Sequence, residues 1–124
     1  MKGRRPVFFD LTQIEMPVGA VTSITHRVTG ILLAFCLPYL LYLLQLSLQG
    51  PDGYKSVISI FDRAGFKSLV LFFIWALAHH LLAGVRHLLS DIDTGSSLHK
   101  ARASAWFVNC GAVAIALLGA GALW

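Results

Sequence analysis

The chain has 124 residues, of which 56% are hydrophobic, with a mean hydropathy of +0.71 and a formal net charge of +4. Such a composition excludes an ordinary soluble domain and describes a small integral membrane protein. Its positive charges flank apolar stretches instead of forming a soluble face, which sets nucleic-acid binding aside and makes them a topology signal.

In chain order, Lys2, Arg4 and Arg5 lead into the polar, proline-bearing stretch from Phe9 to Pro17. No short apolar core with a cleavage site follows, so no secretory signal is expected and the first span is retained. Crossing a hydrocarbon core of about 30 Å takes roughly 20 helical residues. Three stretches meet that length, about 22–48, 67–89 and 103–124, within a single domain over 1–124. The expected fold is an all-α integral membrane protein with three transmembrane helices.

The first span opens with Ser23, His26, Arg27 and Gly30, whose spacing places them in one stripe at one end of a helix. Gly50-Pro51-Asp52-Gly53-Tyr54-Lys55 carries the turn formers that stop it, and Asp62-Arg63-Ala64-Gly65 marks the entry to the second span.

The second span carries His79, His80, Gly84, Arg86, His87 and Asp91 in its latter half. Ionisable groups inside lipid cost about 2.5 to 3.5 kcal/mol each, so they point to function. His80, Gly84, His87 and Asp91 recur at four, three and four, which aligns them on one face. The two stripes are expected to face each other or a shared cavity. Snorkelling toward headgroups explains Arg27, Arg86 and Asp91 at span ends. It does not explain His80, which lies about eleven positions, or about 16 Å, inward from Asp91.

A histidine at that depth serves as a helix-bridging hydrogen bonder, a proton-relay group or an axial ligand to haem. Gly84, one turn away, leaves room for a flat macrocycle or a close helix. If haem is bound, the chain offers no second ligand at that level: the first-span residue nearest in depth is about Cys36, and the third span has no histidine. A bis-histidine site then needs a partner subunit, the in-chain alternative being His26 with His87. His79 points about 100° from His80 and is expected to pack or hydrogen-bond. The outer halves of the spans are apolar, which argues against a proton path across the membrane.

Asp91 to Ser97 forms the second connection, followed by Lys100 and Arg102. The third span shows Ala112, Ala116 and Ala120 at four-residue spacing, with Gly111, Gly119 and Gly121 around them, and is expected to pack closely. Cys36 and Cys110 lack the spacing of a metal cluster and read as packing residues. Seven basic residues (Lys2, Arg4, Arg5, Arg27, Arg86, Lys100, Arg102) fall on the side of the N-terminus, against Lys55, Arg63 and Lys67 on the other. The N-terminus is therefore expected in the cytoplasm and the C-terminus in the periplasm.

Taken together, Arg5-Pro6, Asp10-Leu11, Ser23-Ile24-Thr25-His26-Arg27-Val28-Thr29-Gly30 and His80-Leu81-Leu82-Ala83-Gly84-Val85-Arg86-His87 with Asp91 resemble one family across nearly the whole chain. It is the larger cytochrome b membrane-anchor subunit of bacterial succinate dehydrogenase, respiratory complex II. The resemblance implies a heterodimeric anchor bundle, in which this chain pairs with a smaller three-helix subunit that supplies the second haem histidine. One haem b is then shared between them, with His80 as axial ligand to the iron and His26, Arg27 and His87 near the propionates. Ser23 and Arg27 match positions that line the ubiquinone pocket, and Asp91, at the same membrane surface, is implied to order that pocket or the docking site. A flavoprotein and an iron-sulfur subunit are implied as partners on the cytoplasmic face, and succinate chemistry belongs to them. A haem-free structural anchor, or the equivalent subunit of a fumarate reductase, is the alternative. The motif starts near Met1, which leaves no space for a transit peptide and favours a bacterial inner membrane.

Overall fold

The computed structural model describes residues 15–124, so Lys2, Arg4, Arg5 and the Arg5-Pro6 and Asp10-Leu11 signatures lie outside the described residues. Four helices follow one another: α1 (Val18–Ser47), α2 (Pro51–Phe61), α3 (Ala64–Asp91) and α4 (Leu98–Leu123). Three of them, α1, α3 and α4, are long and apolar enough to cross a membrane. Among the described residues there is no strand.

Helix α1 starts at Val18, ahead of the expected Thr22, because Pro17 is extended (φ −64°, ψ 147°) and its carbonyl already accepts the amides of Ala20 and Val21 at 2.9 and 3.3 Å. It ends where Gly50 takes φ 128°, a conformation that favours glycine.

The connection that follows was expected as turns and is instead the helix α2. Pro51 occupies its first turn, where a missing amide hydrogen costs nothing, and Asp52 complements the helix dipole there. The short helix folds back on the end of α1. A Cβ at Gly53 would overlap the backbone carbonyl of Leu46, so only glycine admits that approach. Phe61 meets Phe66 edge to face, with ring centroids 4.9 Å apart, and closes the corner into α3.

Helix α3 is the central element, packed most extensively on α4 and next on α1. Small buried residues line the packed faces around the α3–α4 seam: Ala76, Ala78 and Ala83 on α3, the first of them on the cavity shared with α1, and Ala105 and Ala112 on α4. Gly111 and Gly119 extend it by admitting Leu82 and Ile74, as the small-residue pattern requires. Gly121, by contrast, faces open space.

The turn between α3 and α4 is a Schellman cap. Thr94 N–H bonds Leu89 C=O at 2.9 Å and Asp93 N–H bonds Ser90 C=O at 3.1 Å, with Asp93 at φ 57°. Most large apolar side chains point outward, Phe35 at 81% exposed and Leu118 at 77%, as suits a surface facing lipid or other subunits.

Candidate functional site: a histidine cluster between two spans

The antiparallel course of α1 and α3 brings the two polar stripes together. Helix α1 contributes His26, Thr29 and Gly30, and α3 contributes His80, Gly84 and His87. The imidazoles of His26 and His80 stack with centroids 4.1 Å apart and planes 9° from parallel. His87 lies against the other side of the cluster, 5.1 Å from His26 and tilted by 57°.

Each stacked ring faces a glycine on the opposite helix. A Cβ at Gly30 would stand 2.8 Å from His80 Cε1, and one at Gly84 would stand 3.5 Å from His26 Nε2. A Cβ at Gly84 would make only ordinary van der Waals contact, so the approach of α1 does not require glycine there. The steric demand falls harder on Gly30, because 2.8 Å is inside van der Waals contact.

Depth differs from the sequence expectation. The residue facing His80 is Gly30, not one near Cys36, because α1 begins at Val18 and its register shifts accordingly. Cys36 lies further outward, lining an apolar cavity of about 320 Å³ with Phe72, Phe73 and Ala76. Both cysteines are free.

The tautomer of His80 follows from its neighbours. Its Nδ1 lies 3.0 Å from the backbone carbonyl oxygen of His26. A carbonyl only accepts, so Nδ1 carries the proton and donates it. In the neutral imidazole Nε2 then has its lone pair available, and it has no hydrogen-bond partner among the described residues. That is the state in which imidazole binds a metal, its other nitrogen fixed by a backbone acceptor. The donor set thus fits a single axial ligand to haem iron.

Among the described residues, neither the His26–His80 pair nor the His26–His87 pair is placed to supply both axial ligands. Imidazole lone pairs lie in the ring plane, so the stacked His26 and His80 direct theirs along parallel planes instead of toward one iron from opposite sides. His26 and His87 are likewise too close for a macrocycle between them, since two nitrogens about 2 Å from a metal stand about 4 Å apart and the rings extend beyond that. Among the described residues no group of three or more His, Cys, Asp or Glu could hold a metal ion.

The remaining expected residues are less tightly organised. Ser23 is half-buried and one turn before His26, while Arg27 and Asp91 are exposed. Among the described residues none of the three has a side-chain hydrogen bond. Arg86 does not snorkel. Its Nε donates to Ser104 Oγ at 3.1 Å and Nη2 to the Ala101 carbonyl at 3.3 Å, tying α3 to α4.

Adjacent to the cluster, His79 is buried and its Nε2 donates to Asn109 Oδ1 at 3.1 Å. The same oxygen lies 3.2 Å from Thr22 Oγ1, whose single proton is shared between it and the Val18 carbonyl at 2.9 Å. This linkage of all three spans gives His79 the hydrogen-bonding role expected for it. Asn109 and Thr22 were not singled out in the sequence, where a lone asparagine and a helical threonine carry no periodic signal.

The sequence matches the family described as succinate dehydrogenase/fumarate reductase transmembrane subunit over residues 1–119. It is 34% identical over 109 residues to the succinate dehydrogenase cytochrome b556 subunit of Coxiella burnetii, covering 87% of each chain. With the protein of that name from Paracoccus denitrificans it shares 30% over 118 residues, 94% of this chain and 90% of the other. The succinate dehydrogenase cytochrome b560 subunit of Reclinomonas americana is 29% identical over 96 residues, 73% of this chain and 67% of that one.

Proposed function

We propose that this chain, which belongs to the succinate dehydrogenase/fumarate reductase transmembrane-subunit family, holds one haem b through His80 and helps to form a ubiquinone-reduction site. Its role is that of a membrane-anchor subunit of succinate dehydrogenase, consistent with relatives named as cytochrome b556 subunits and with three membrane-length helices. The observation that supports the haem reading is the protonated Nδ1 of His80 on the His26 carbonyl, which leaves Nε2 free. A smaller anchor subunit supplies the opposing histidine. A flavoprotein and an iron-sulfur subunit complete the complex in a bacterial inner membrane.

Haem b, when bound, would supply a one-electron couple. The residues of this chain do the rest. His80 orients its Nε2, and Gly30 gives the ring its place. His26, Arg27 and His87 offer positive or hydrogen-bonding groups to the propionates. Ser23 donates its hydroxyl hydrogen to a quinone carbonyl and Arg27 stabilises the negative charge that develops on reduction. Asp91 accepts hydrogen bonds at the same membrane surface and orders the pocket.

The test is a dithionite-reduced minus oxidised spectrum of the complex purified through a tag on this chain. His80→Ala is expected to abolish the b-type band. An intact, succinate-oxidising wild-type complex without that band would leave a haem-free anchor. For the quinone site, Ser23→Ala or Arg27→Ala is expected to lower quinone reduction at least tenfold, about the value of one charge-assisted hydrogen bond of 1.5 to 3 kcal/mol. Electron transfer from succinate to an artificial acceptor separates that outcome from failed assembly, in which both activities fall together.

A further inference from the structure

The sequence signature on α1 contains one residue to which neither the haem ligand nor the quinone pocket gives a role, Thr29, beside Gly30. Both meet the imidazole of His80. Thr29 is fully buried, and its Oγ1 lies 3.3 Å from His80 Nδ1. The hydroxyl also reaches two backbone carbonyls of its own helix, Thr25 at 2.8 Å and His26 at 3.0 Å.

Proton bookkeeping then orders the group. The single hydroxyl proton goes to the shorter contact, the Thr25 carbonyl, which is the usual backward bond of a helical threonine. The Thr29 oxygen is left to turn a lone pair on the proton of His80 Nδ1, which the His26 carbonyl already accepts. His80 Nδ1–H is thus held between two oxygens of α1, one backbone and one side chain. Gly30 keeps both within reach, because any Cβ there would stand 2.8 Å from Cε1 of the ring.

We propose that Thr29 is a positioning residue for the axial histidine: its hydroxyl oxygen shares the Nδ1 proton of His80, fixes the ring's rotation and raises the electron-donating power of Nε2. This rests on the reading of His80 as a haem ligand. Acceptors on the remote nitrogen increase the basicity of a metal-bound imidazole and favour the more oxidised metal. Removing one of the two acceptors makes the ligand a weaker donor and raises the midpoint potential of the iron.

Thr29→Val keeps the branched shape and removes the hydroxyl, while Thr29→Ser restores it. The full complex carrying each variant is titrated electrochemically, with the haem spectrum as readout and haem content measured beside it. Thr29→Val is expected to raise the reduced-to-oxidised ratio about threefold at a fixed ambient potential, where tenfold corresponds to about 59 mV for one electron. Thr29→Ser is expected to return it to the wild-type value. If Thr29→Val does not assemble, Thr29→Ala takes its place in the same titration. A potential unchanged or lowered in the hydroxyl-free variant overturns the inference. A wild-type complex with no b-type spectrum, or a band that survives His80→Ala, overturns the ligand reading instead, so the two failures are distinguishable.

Discussion

His79 illustrates how a residue one position from the functional stripe takes a different role. Its ring is 2% exposed and one nitrogen is bonded to Asn109, while Nδ1 is buried with no partner among the described residues. Hydrogen bonds between membrane helices average about 0.6 kcal/mol, so the bond matters less than the volume it sits in. Truncating a buried side chain of this size costs about 2 to 5 kcal/mol. His79→Ala is therefore expected to lower the thermal midpoint of the complex more than His79→Phe, which fills the space and removes the orphaned nitrogen. Both variants are expected to retain the b-type band, and loss of the band in the well-packed phenylalanine variant would move His79 into the haem site. The separation of His79 from His80 was legible in the sequence, because 100° per residue sends neighbours to different helices. The acceptor of the His80 proton was not, since it is a backbone carbonyl and no residue type announces it. Thr29 was hidden for a related reason, as a threonine inside a helix usually bonds only its own backbone.

Among the elements, the three spans could be read from hydropathy alone, and the small-residue seam of α4 from its four-residue spacing. Helix α2 could not. Gly50, Pro51 and Gly53 are turn formers by composition, yet proline is also favoured at a helix start and Gly53 is needed for contact with α1 instead of for a turn. The depth of His80 relative to α1 was misjudged because span ends blur by several residues and each one shifts the register by 1.5 Å. These glycines make opposite predictions. Gly53→Ala drives a methyl into the Leu46 carbonyl, which is backbone and cannot swing aside, and overpacking of this kind costs about 1 to 3 kcal/mol. Gly121→Ala meets open space within a helix and gains up to about 1 kcal/mol from alanine's propensity. Thermal melts of the two variants in parallel are expected to move in opposite directions, and a neutral Gly53→Ala would mean that α2 does not rest on α1 in the membrane.

For the whole molecule, the placement of charge and of the histidine cluster bears on a single question, which end faces the cytoplasm. Arg27, Arg86, Lys100 and Arg102 gather at the end where α1 starts and α3 finishes, and Lys55, Arg63 and Lys67 at the other. Basic residues close to span ends resist translocation, so the richer end is expected inside. The same end carries Ser23, His26 and His87, and in the proposed complex electrons from a soluble succinate-oxidising subunit would reach the quinone without crossing the bilayer only if that end is cytoplasmic. Cysteines introduced at Ser96, in the α3–α4 turn, and at Ser56, on the exposed side of α2, report the two surfaces separately. A membrane-impermeant maleimide applied to intact spheroplasts is expected to label Ser56→Cys and spare Ser96→Cys until the membrane is opened. The reverse pattern would invert the chain, place the histidine cluster on the periplasmic side, and separate it by a full membrane thickness from the electrons it is proposed to receive.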